Sequence, residues 1–444
     1  MTASSESLKQ EAREAIQSAA NELESLVADI GAHAELGYHE TRTASKMATF
    51  FRRLGLPVED GLAVTGVKAV VRLGSGGPSA ALLGELDGLP IQSHPDYSPD
   101  SGAVHACGHH AQLGMLAAAA VGLTKLKADH GLAGRVVLIA CPAEESVEVD
   151  RRLQMRADGL IEFLGGKQEL IKQGAFDDVD LAMLIHASSR AETRAIGIGA
   201  TTNGHLIKRA RFLGRSSHAG VAPHDGINAL KGATLALAAI DSQRDTFRDV
   251  DAVRVHPILT HGGDVVNAVP ALAVMEMYVR AKSLEAMRDA NLKVDRALRG
   301  AAIATGSRVE ISTVPGYLPL LQDGPLTSVF MANAVAAVGD KMIGTEGHSG
   351  ATTDMGDVSH LVPAIQPNCG GFSGTAHGDD FKLRDFEAAV LTPARVLVGT
   401  LVDLLQNDAS LLRDIRAQSK PLLTKEGYLS AVRELAYESN HGPD

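Results

Sequence analysis

Residues 135–145 read RVVLIACPAEE, an apolar run that ends in a proline and two acidic residues. The run lacks the alternation of a half-exposed strand, so it predicts a strand over Arg135–Ala140 that is buried on both faces. Pro142 cannot donate a hydrogen bond to a neighbouring strand and marks the end of this one. Glu144 and Glu145 therefore follow the carboxyl end of a buried strand, where α/β proteins place binding sites.

Helices and strands alternate along the chain on both sides of this strand. The predicted elements are the helices Leu8–Ile30, Thr41–Leu54, Ala111–Ala128 and Lys167–Gln173 and the strands Gly66–Leu73, Ala80–Leu83 and Leu181–Ile185. This alternation, with strands that are almost continuously apolar, is typical of an α/β fold with a largely buried sheet. We assign residues 1–201 to the first part of an α/β domain.

The order of the predicted elements changes near residue 201. The elements there are the strand Thr201–Leu213, the helix Ile227–Arg244, the strands Arg254–Thr260 and Ala273–Arg280, the helix Leu284–Ala304 and the strand Arg308–Thr313. The order β-α-β-β-α-β is ferredoxin-like and predicts an inserted α+β domain at residues 202–313. The α/β domain resumes over residues 314–444 with a helix at Leu326–Val338, and we expect the tail beyond Gln406 to be helical.

The composition excludes several classes of protein. Of the 444 residues, 45% are hydrophobic, which is too apolar a composition for a disordered chain. With 42 basic and 53 acidic side chains the net charge is −11, so we expect no nucleic-acid partner. Three cysteines (Cys107, Cys141 and Cys369) make no disulfide framework and favour a reducing cytoplasm. The longest apolar stretch, Leu113–Leu123, is shorter than the roughly 20 residues that span a bilayer, and we expect no membrane segment.

The segment His105-Ala106-Cys107-Gly108-His109-His110 is the strongest signal for a metal site. The Cys107 thiolate and the His109 imidazole can reach one ion, because Gly108 between them has no side chain that would crowd them. The alternative is a buried structural cysteine beside ordinary loop histidines, but three histidines and a cysteine so close together favour metal binding. No second Cys or His pair lies at zinc-finger spacing, which excludes that class.

Other acids and histidines also follow predicted strands. Neighbouring side chains diverge, so Glu145 could bind a metal while Glu144 acts as a general base, or the reverse; a solvated acidic turn is the alternative. Asp87 follows a strand and could orient a ligating imidazole, although an acid there could also cap a turn. His186 ends a strand and His377 lies in a loop, and each is ambiguous when it is considered alone.

The inserted domain carries a polar cluster of its own. It comprises the loops Gly214–Gly220, which contains His218, and Gly262–Pro270, which contains Asn267, together with Arg280. A histidine, an asparagine and an arginine could polarise a carbonyl and hold a carboxylate. Turn formation by the asparagine and a surface ion pair of the arginine are the alternatives.

Taken in order, these residues resemble metallopeptidase family 20, and within it the amidohydrolase branch. That branch includes aminoacylase-like enzymes, hydrolases of indole-acetyl amino acids and p-aminobenzoyl-glutamate hydrolases. The resemblance covers nearly the whole chain. Its motifs are His33–Gly37, Glu85–Pro90, His105–His109, Pro142–Glu145, His186, Ser217–Pro223, Gly262–Pro270, Thr353–Ser359, His377 and Phe381.

The resemblance implies a metal-dependent exopeptidase-like catalytic domain with two zinc or manganese ions per subunit, and an inserted domain that makes a homodimer. The positions that match the family's metal ligands are Cys107, His109, Glu145, His186 and His377. Glu144 matches the general base, and Asp87 matches the carboxylate behind a ligand. His218 matches the histidine that contacts the scissile carbonyl. Asn267 and Arg280 match contacts to the substrate carboxylate.

The sequence departs from the family pattern at three places. His110 stands where the family usually has Asp or Asn, and Gly88 stands where it usually has Ala. The family's glutamate pair is normally followed by a glycine-rich turn, whereas the segment Ser146–Gly159 is longer and charged. This segment borders the expected cleft, so the substrate is not carried over from the family.

The activity implied by the resemblance is hydrolysis of the amide bond of an N-acyl or N-aroyl amino acid, with Glu144 activating the water. A dipeptidase or carboxypeptidase with the same machinery is the alternative and differs only on the acyl side of the pocket. A non-catalytic metal-binding protein would be expected to lack the base or a ligand, and all of these positions are occupied. A nucleotide-dependent ligase or transferase would need a phosphate-binding GxxxxGK[ST] loop, which the sequence lacks.

Overall fold

The computed structural model of the chain describes residues 4–126 and 131–443. Within these residues the helices are α1 Ser5–Ser18, α2 Ala20–Ala32, α3 Thr41–Arg53, α4 His109–Lys125, α5 Val149–Ala157, α6 Gly166–Lys172, α7 Ala229–Asp241, α8 Leu284–Thr305, α9 Gly324–Val338, α10 Met355–Ser359, α11 Thr392–Gln418 and α12 Lys425–Glu434. The strands are β1 Val58–Leu62, β2 Gly66–Arg72, β3 Ser79–Glu85, β4 Arg135–Cys141, β5 Leu181–Met183, β6 His186–Ala187, β7 Ile196–Ile198, β8 Thr201–Thr202, β9 Gly204–Leu213, β10 Arg254–His261, β11 Leu272–Ala281, β12 Arg308–Pro315, β13 Ile343–Thr345, β14 His348–Ser349, β15 Ala364–Ile365, β16 Asn368–Cys369, β17 Phe372–Ser373, β18 Lys382–Leu383 and β19 Tyr437–His441.

Contacts within the chain divide it into two compact units. The first comprises the residues up to Thr201 together with Leu321–His348 and Asp357–Lys425. The second comprises Thr202–Leu320, Ser349–Gly356 and the residues from Glu426 onward.

The first unit contains a six-stranded sheet in the order β1-β2-β4-β3-β5-β15. The last four of these strands run parallel, while β1 and β2 are antiparallel additions at one edge. β3 is buried at every position and β4 at every position but Arg135, which agrees with the uniformly apolar pattern of these strands. Helix α4, which is buried along most of its length, packs against β3 and against α1, α2 and α11. The α/β class expected from the sequence is confirmed.

Several local predictions in this unit need correction. The predicted helix Leu8–Ile30 is two helices, because Ala19 (φ −94°, ψ 1°) separates α1 from α2. The predicted strand Leu181–Ile185 is shorter than expected, since β5 ends at Met183, and a separate strand, β6, begins at His186. β1 and α5 are absent from the prediction, because their exposed polar residues give neither element a clear hydrophobic pattern. The end of the predicted helix Ala111–Ala128 lies outside the described residues.

The second unit contains a five-stranded antiparallel sheet in the order β10-β11-β9-β12-β19. Four of its strands and the helices α7 and α8 follow one another as β-α-β-β-α-β, the order expected from the sequence. Along β11, buried positions alternate with half-buried ones, because α7 and α8 cover one face of the sheet.

The C-terminal tail is not helical throughout, which corrects the prediction. Gln406–Ala409 have non-helical backbone angles within α11, and the chain ends in β19, which pairs with β12. The buried Lys208 of β9 donates a hydrogen bond to Asp295 at 2.5 Å, and the hydroxyl of Tyr437 in β19 donates to the same carboxylate. The polar sequence of β19 has no strand pattern, so only its partners in the second unit reveal it.

One helical stretch, Glu387–Gln418, is long and apolar enough by length and composition to cross a membrane, with a mean hydropathy of 1.7 in an 18-residue window. This corrects the expectation that no segment is long enough, since that expectation considered only uninterrupted apolar runs. In the structure 78% of the window is buried, and a buried core helix passes the same test. Its helix α11 packs against α1, α4 and α9.

Candidate metal centre

The carboxylates of the candidate site follow the carboxyl ends of two neighbouring strands. β3 and β4 are parallel and end in register, with Glu85 opposite Cys141. Asp87 comes two residues after β3, and Glu144 and Glu145 come shortly after β4. All three of these side chains are buried. Because parallel strands end at the same edge of a sheet, the fold brings these acids together.

The loop before α4 supplies a sulfur atom and an imidazole. Gly108 has a left-handed conformation (φ 85°), and a Cβ atom there would lie 2.4 Å from Cβ of Ala187, so this position requires glycine. Helix α4 begins at the next residue, His109, whose side chain is fully buried. The glycine thus allows Cys107 and His109 to face one site.

Three candidate ligands lie close together around Cys107: His186 and His377 lie next to its sulfur, and Glu145 lies next to His377. Sγ of Cys107 lies 3.5 Å from Nε2 of His186 and 3.3 Å from Nε2 of His377. Nε2 of His377 lies 3.4 Å from Oε1 of Glu145. The backbone N–H of His377 donates to the carbonyl oxygen of Ala106 at 3.0 Å. This hydrogen bond joins the loop that contains His377 to the loop that contains Cys107.

The donor atoms form two groups that share Cys107. The first group contains Cys107, His109 and His186, and the second contains Cys107, Glu145 and His377; within each group the donor atoms lie within 4.8 Å of one another. Nε2 of His109 and Oε1 of Glu145 are buried and lie beside other ionisable groups of the site, Oε2 of Glu85 at 3.0 Å and Nε2 of His377 at 3.4 Å, respectively. Thiolate, imidazole and carboxylate donors suit zinc and related divalent ions. The residues present therefore fit a two-ion centre.

The electrostatics of the group also suit a cation. Burial and the charge of Glu145 raise the pKa of the Cys107 thiol, but the neighbouring His186 and His109 outweigh them and lower it to about 6. Hydrogen bonds to Cys107 and Glu145 raise the pKa of His377 to about 11. The thiolate and the carboxylate thus hold a proton on His377, and a bound metal ion would displace that proton.

Asp87 lies between two of the candidate ligands. Its Oδ1 is 3.2 Å from Nδ1 of His109, and its backbone oxygen is 2.8 Å from the same nitrogen. Its Oδ2 accepts the backbone N–H of Glu145 at 2.8 Å. With Nδ1 held in this way, Nε2 of His109 is directed into the site, a geometry that suits an orienting carboxylate.

Sequence reasoning assigned no role to Glu85, which also lies in the site. Its Oε1 accepts a hydrogen bond from Lys167 at 2.6 Å, and its Oε2 accepts one from Gln112 at 2.8 Å and lies 3.0 Å from Nε2 of His109. Burial raises the pKa of Glu85, but the charges of Lys167 and His109 outweigh burial and lower it to about 2. Its spacing of two residues from Asp87, which places both on the same side of an extended chain, was the available signal.

Glu144 belongs to a third group of possible donors. Its carboxylate lies within 4.8 Å of the donor atoms of Glu85 and His109. The side chain is buried, with 5% exposure. Glu144 therefore lies next to the group of Cys107, His109 and His186, because His109 belongs to both that group and the group of Glu144.

The remaining candidates lie in the second unit. His218 pairs with Ala268 across an isolated β-bridge, so the structure brings His218 close to Asn267, and both side chains are exposed. Arg280 lies at the other end of β11, where its Nη1 donates to the carbonyl oxygen of Gly350 at 3.2 Å. Arg280 lies eight residues beyond Leu272, the first residue of β11, which at about 3.3 Å per residue is roughly 26 Å, and Asn267 precedes Leu272 by a further five residues. Within this unit the structure does not bring these two residues together.

The chain is similar to known proteins along most of its length. The sequence profile of the peptidase family M20/M25/M40 matches residues 81–403. The Xaa-Arg dipeptidase of Mus musculus is 30% identical over 458 residues, which cover 96% of this chain and 95% of that protein. One of the subunits of the p-aminobenzoyl-glutamate hydrolase of Escherichia coli K12 is 28% identical over 298 residues, which cover 65% of this chain and 57% of that protein.

Solved structures show the same fold. A dinuclear metal-binding peptidase of the M20 family from Bacillus subtilis superposes with a TM-score of 0.66 at 20% identity, and the match covers 88% of this chain and 99% of that one. The family profile begins in β3 and ends in α11, so it includes every candidate ligand of the first unit. The chain therefore belongs to the peptidase family M20/M25/M40 and is a hydrolase of amide or peptide bonds.

Proposed function

We propose that the protein is a dinuclear metal-dependent amidohydrolase that cleaves the amide bond of an N-acyl or N-aroyl amino acid. The residues that would hold two divalent ions, zinc or manganese, in each subunit are Cys107, His109, Glu145, His186 and His377. When bound, such ions polarise the scissile carbonyl and lower the pKa of water. The observation that carries the proposal is the convergence of two donor groups on Cys107 beside the buried Glu144.

Glu144 is the proposed general base. Its carboxylate takes a proton from the attacking water and afterwards donates that proton to the leaving amine. Asp87 holds the ring of His109 so that Nε2 faces the site. His218 of the inserted domain would donate a hydrogen bond to the carbonyl oxygen as negative charge develops there.

The substrate is proposed to carry a free carboxylate, which Asn267 and Arg280 would bind. Charge-assisted hydrogen bonds from a guanidinium are well suited to a carboxylate. A small N-acyl amino acid and a dipeptide share this group and the adjacent amide, so the two candidate substrates differ only in the acyl part.

A dipeptidase is the second candidate function. It is favoured by the similarity to the mouse Xaa-Arg dipeptidase, which extends over 96% of the chain, whereas the match to the p-aminobenzoyl-glutamate hydrolase of Escherichia coli covers 65%. This full-length similarity includes the segment after Glu145, the part of the chain that departs most from the resembled family pattern.

A substrate panel tests both candidates. The protein, supplied with zinc, manganese or cobalt, is assayed with N-acetyl, N-benzoyl, indole-acetyl and p-aminobenzoyl amino acids and with dipeptides, including those that end in arginine. A higher kcat/KM for the N-acyl or N-aroyl amino acids supports the first candidate, and a higher value for dipeptides supports the second. Absence of hydrolysis with every metal would contradict both, and a Glu144→Gln variant controls for contaminating hydrolases.

We also propose that the protein is a cytoplasmic homodimer that pairs through the inserted domain. Leu272 and Arg280 are roughly 26 Å apart along β11, and Asn267 lies in the loop before Leu272, so the separation of Asn267 from Arg280 exceeds the length of a small amide substrate. One inserted domain therefore cannot apply both residues to one carboxylate. The separation of Asn267 from Arg280 is explained if His218 and Asn267 act at the site of the partner subunit and Arg280 acts at the site of its own subunit.

A further inference from the structure

The residue before the proposed general base has an unusual backbone conformation. Ala143 lies in the left-handed region (φ 51°), which residues other than glycine occupy only where their surroundings enforce it. Its side chain is fully buried. Since the Ala143 carbonyl belongs to the peptide that leads into Glu144, the conformation of Ala143 sets the direction in which the Glu144 side chain leaves the chain.

Two buried ionisable side chains and one backbone N–H hold both polar groups of Ala143. Its N–H donates to Oε1 of Glu40 at 2.8 Å. Its carbonyl oxygen accepts from Nη1 of Arg152 at 3.4 Å and from the N–H of Gly166 at 3.3 Å. Glu40 is 0% and Arg152 is 1% exposed. We call Glu40, Arg152 and Gly166 the Ala143 clamp.

Arg152 belongs to helix α5, in the segment that stands where the resembled family has a glycine-rich turn. Its Nη1 also donates to the carbonyl oxygen of Leu164 at 3.0 Å, and its guanidinium lies 5.4 Å from the ring centroid of Tyr38. A Cβ atom at Gly37 would lie 2.3 Å from Nη2 of Arg152 and 2.9 Å from Cα of Ala143. Helix α5, the loop before α3 and Ala143 are therefore packed in direct contact.

We propose that Glu40 and Arg152 are positioning residues that hold Ala143 in its left-handed conformation and so orient Glu144 for proton transfer. The inference rests on the proposed role of Glu144 as the general base. A buried carboxyl group and a buried guanidinium are costly unless their hydrogen bonds are satisfied, and the backbone of Ala143 is a partner of both. The longer charged segment after Glu145 thus serves the base through Arg152.

Two nearby hydrogen bonds, one from helix α5 and one to Glu40, do not involve Ala143. They provide matched controls. Arg151, also on α5, donates through Nη1 to the carbonyl oxygen of Gly37 at 3.2 Å. Thr65 donates to Oε2 of Glu40 at 2.6 Å, the oxygen that does not bond Ala143. Arg151→Met and Thr65→Val therefore weaken the same packing but leave the hydrogen bonds of Ala143 in place.

The test compares kcat, KM, metal content and Tm of clamp variants and controls. Arg152→Met and Glu40→Leu are expected to lower kcat by up to about 10²-fold with KM and metal content unchanged, because misplacing a reacting group by about 1 Å can cost that factor. Glu40→Gln keeps an acceptor for the Ala143 N–H and is expected to retain most of the activity. If Arg152→Met does not fold, Arg152→Lys takes its place in the test. Lysine keeps the buried charge but lacks the planar guanidinium group that donates to Ala143.

A double-mutant cycle separates positioning of the base from general damage. In the Glu144→Gln background, Arg152→Met should cause no further loss of kcat, because the group that it positions is already absent. An equal loss in both backgrounds, a loss as large in Arg151→Met, or unchanged kcat in folded Arg152→Met and Glu40→Leu would overturn the inference. Near-normal activity of Glu144→Gln alone would instead contradict the proposed function.

Discussion

Sγ of Cys107 lies 3.3 Å from Nε2 of His377, although 270 positions separate the two residues in the chain. The contact joins the loop before α4 to the loop between β17 and β18, and the hydrogen bond from the His377 N–H to Ala106 reinforces it. Because Cys107 belongs to both donor groups, its sulfur connects the two halves of the candidate metal centre.

We expect the purified protein to retain up to two divalent ions and Cys107→Ala to lose metal from both groups. The physical reason is that this sulfur is the one donor that the two groups share. Elemental analysis after gel filtration measures the metal content. Cys369→Ala is the matched control, since Cys369 is fully buried in the hydrophobic core and lies outside both groups. Absence of retained metal, together with no activation by added metal, would contradict the proposed centre.

Glu144→Gln is expected to keep its metal content and to lose turnover by at least about 10²–10⁴-fold, the usual contribution of a general base. The loss should be at the upper end, because the same carboxylate also protonates the leaving amine. Steady-state kinetics and elemental analysis on the same preparation check both parts. Glu148→Gln makes the same change four residues later and should leave kcat nearly unchanged. Comparable activity of the two variants would assign the base to another residue.

Removal of the metal should make Cys107 reactive. The pKa of its thiol is lowered to about 6 by the neighbouring histidines, so in the metal-free protein the thiolate prevails above that pH. Alkylation by iodoacetamide at pH 7.5, followed by peptide mass spectrometry, should label Cys107 after chelation and not after reloading with zinc. Burial raises the pKa of Cys369, which serves as the internal control. Labelling that does not depend on metal would argue against ligation by the sulfur.

Mixing two inactive variants tests whether His218 acts across the proposed dimer interface. If it does, a mixed dimer of His218→Ala and Glu144→Gln contains one site with both residues intact, and activity returns on mixing. If His218 acts within its own chain, each site stays defective and mixing restores nothing. Sedimentation must show a dimer in all samples, and a monomeric protein would exclude the proposal.

The ion pairs of Asp29 predict a pH-dependent contribution to stability. A hydrogen bond from Arg42 is the main cause that lowers the pKa of Asp29 from 3.8 to about 2, and Lys46 lies 2.8 Å from its other oxygen. The stabilisation is therefore present above pH 3.8 and is lost as the pH falls through about 2. Asp29→Asn should lower the free energy of unfolding at pH 7 by up to about 1 kcal/mol, since the pair is partly exposed and screened. Urea unfolding of both proteins should give curves that approach each other below pH 4, and a constant difference would contradict the assignment.

The amino-acid sequence alone predicts the fold class, most of the helices, the strands of seven residues or more and the stretches of chain that carry the chemistry. In an apolar run such as Arg135–Ala140 the buried positions are the apolar ones, so the burial of the strand can be predicted from its own residues. The thiol and imidazole of Cys107 and His109 likewise lie on either side of a glycine that their loop requires. Local patterns contain this information because backbone periodicity and side-chain size act over a few residues.

Contacts between residues that are distant in the chain depend on how the elements pack in three dimensions. The bonds of Ala143 to Glu40 and Arg152, the pairing of Glu85 with Lys167 and the addition of β19 to the sheet of the second unit leave no periodic trace in the sequence. Each of these charged side chains, considered alone, predicts exposure at the surface. Their burial depends on partners that packing brings close from other parts of the chain, and a local pattern does not record those partners.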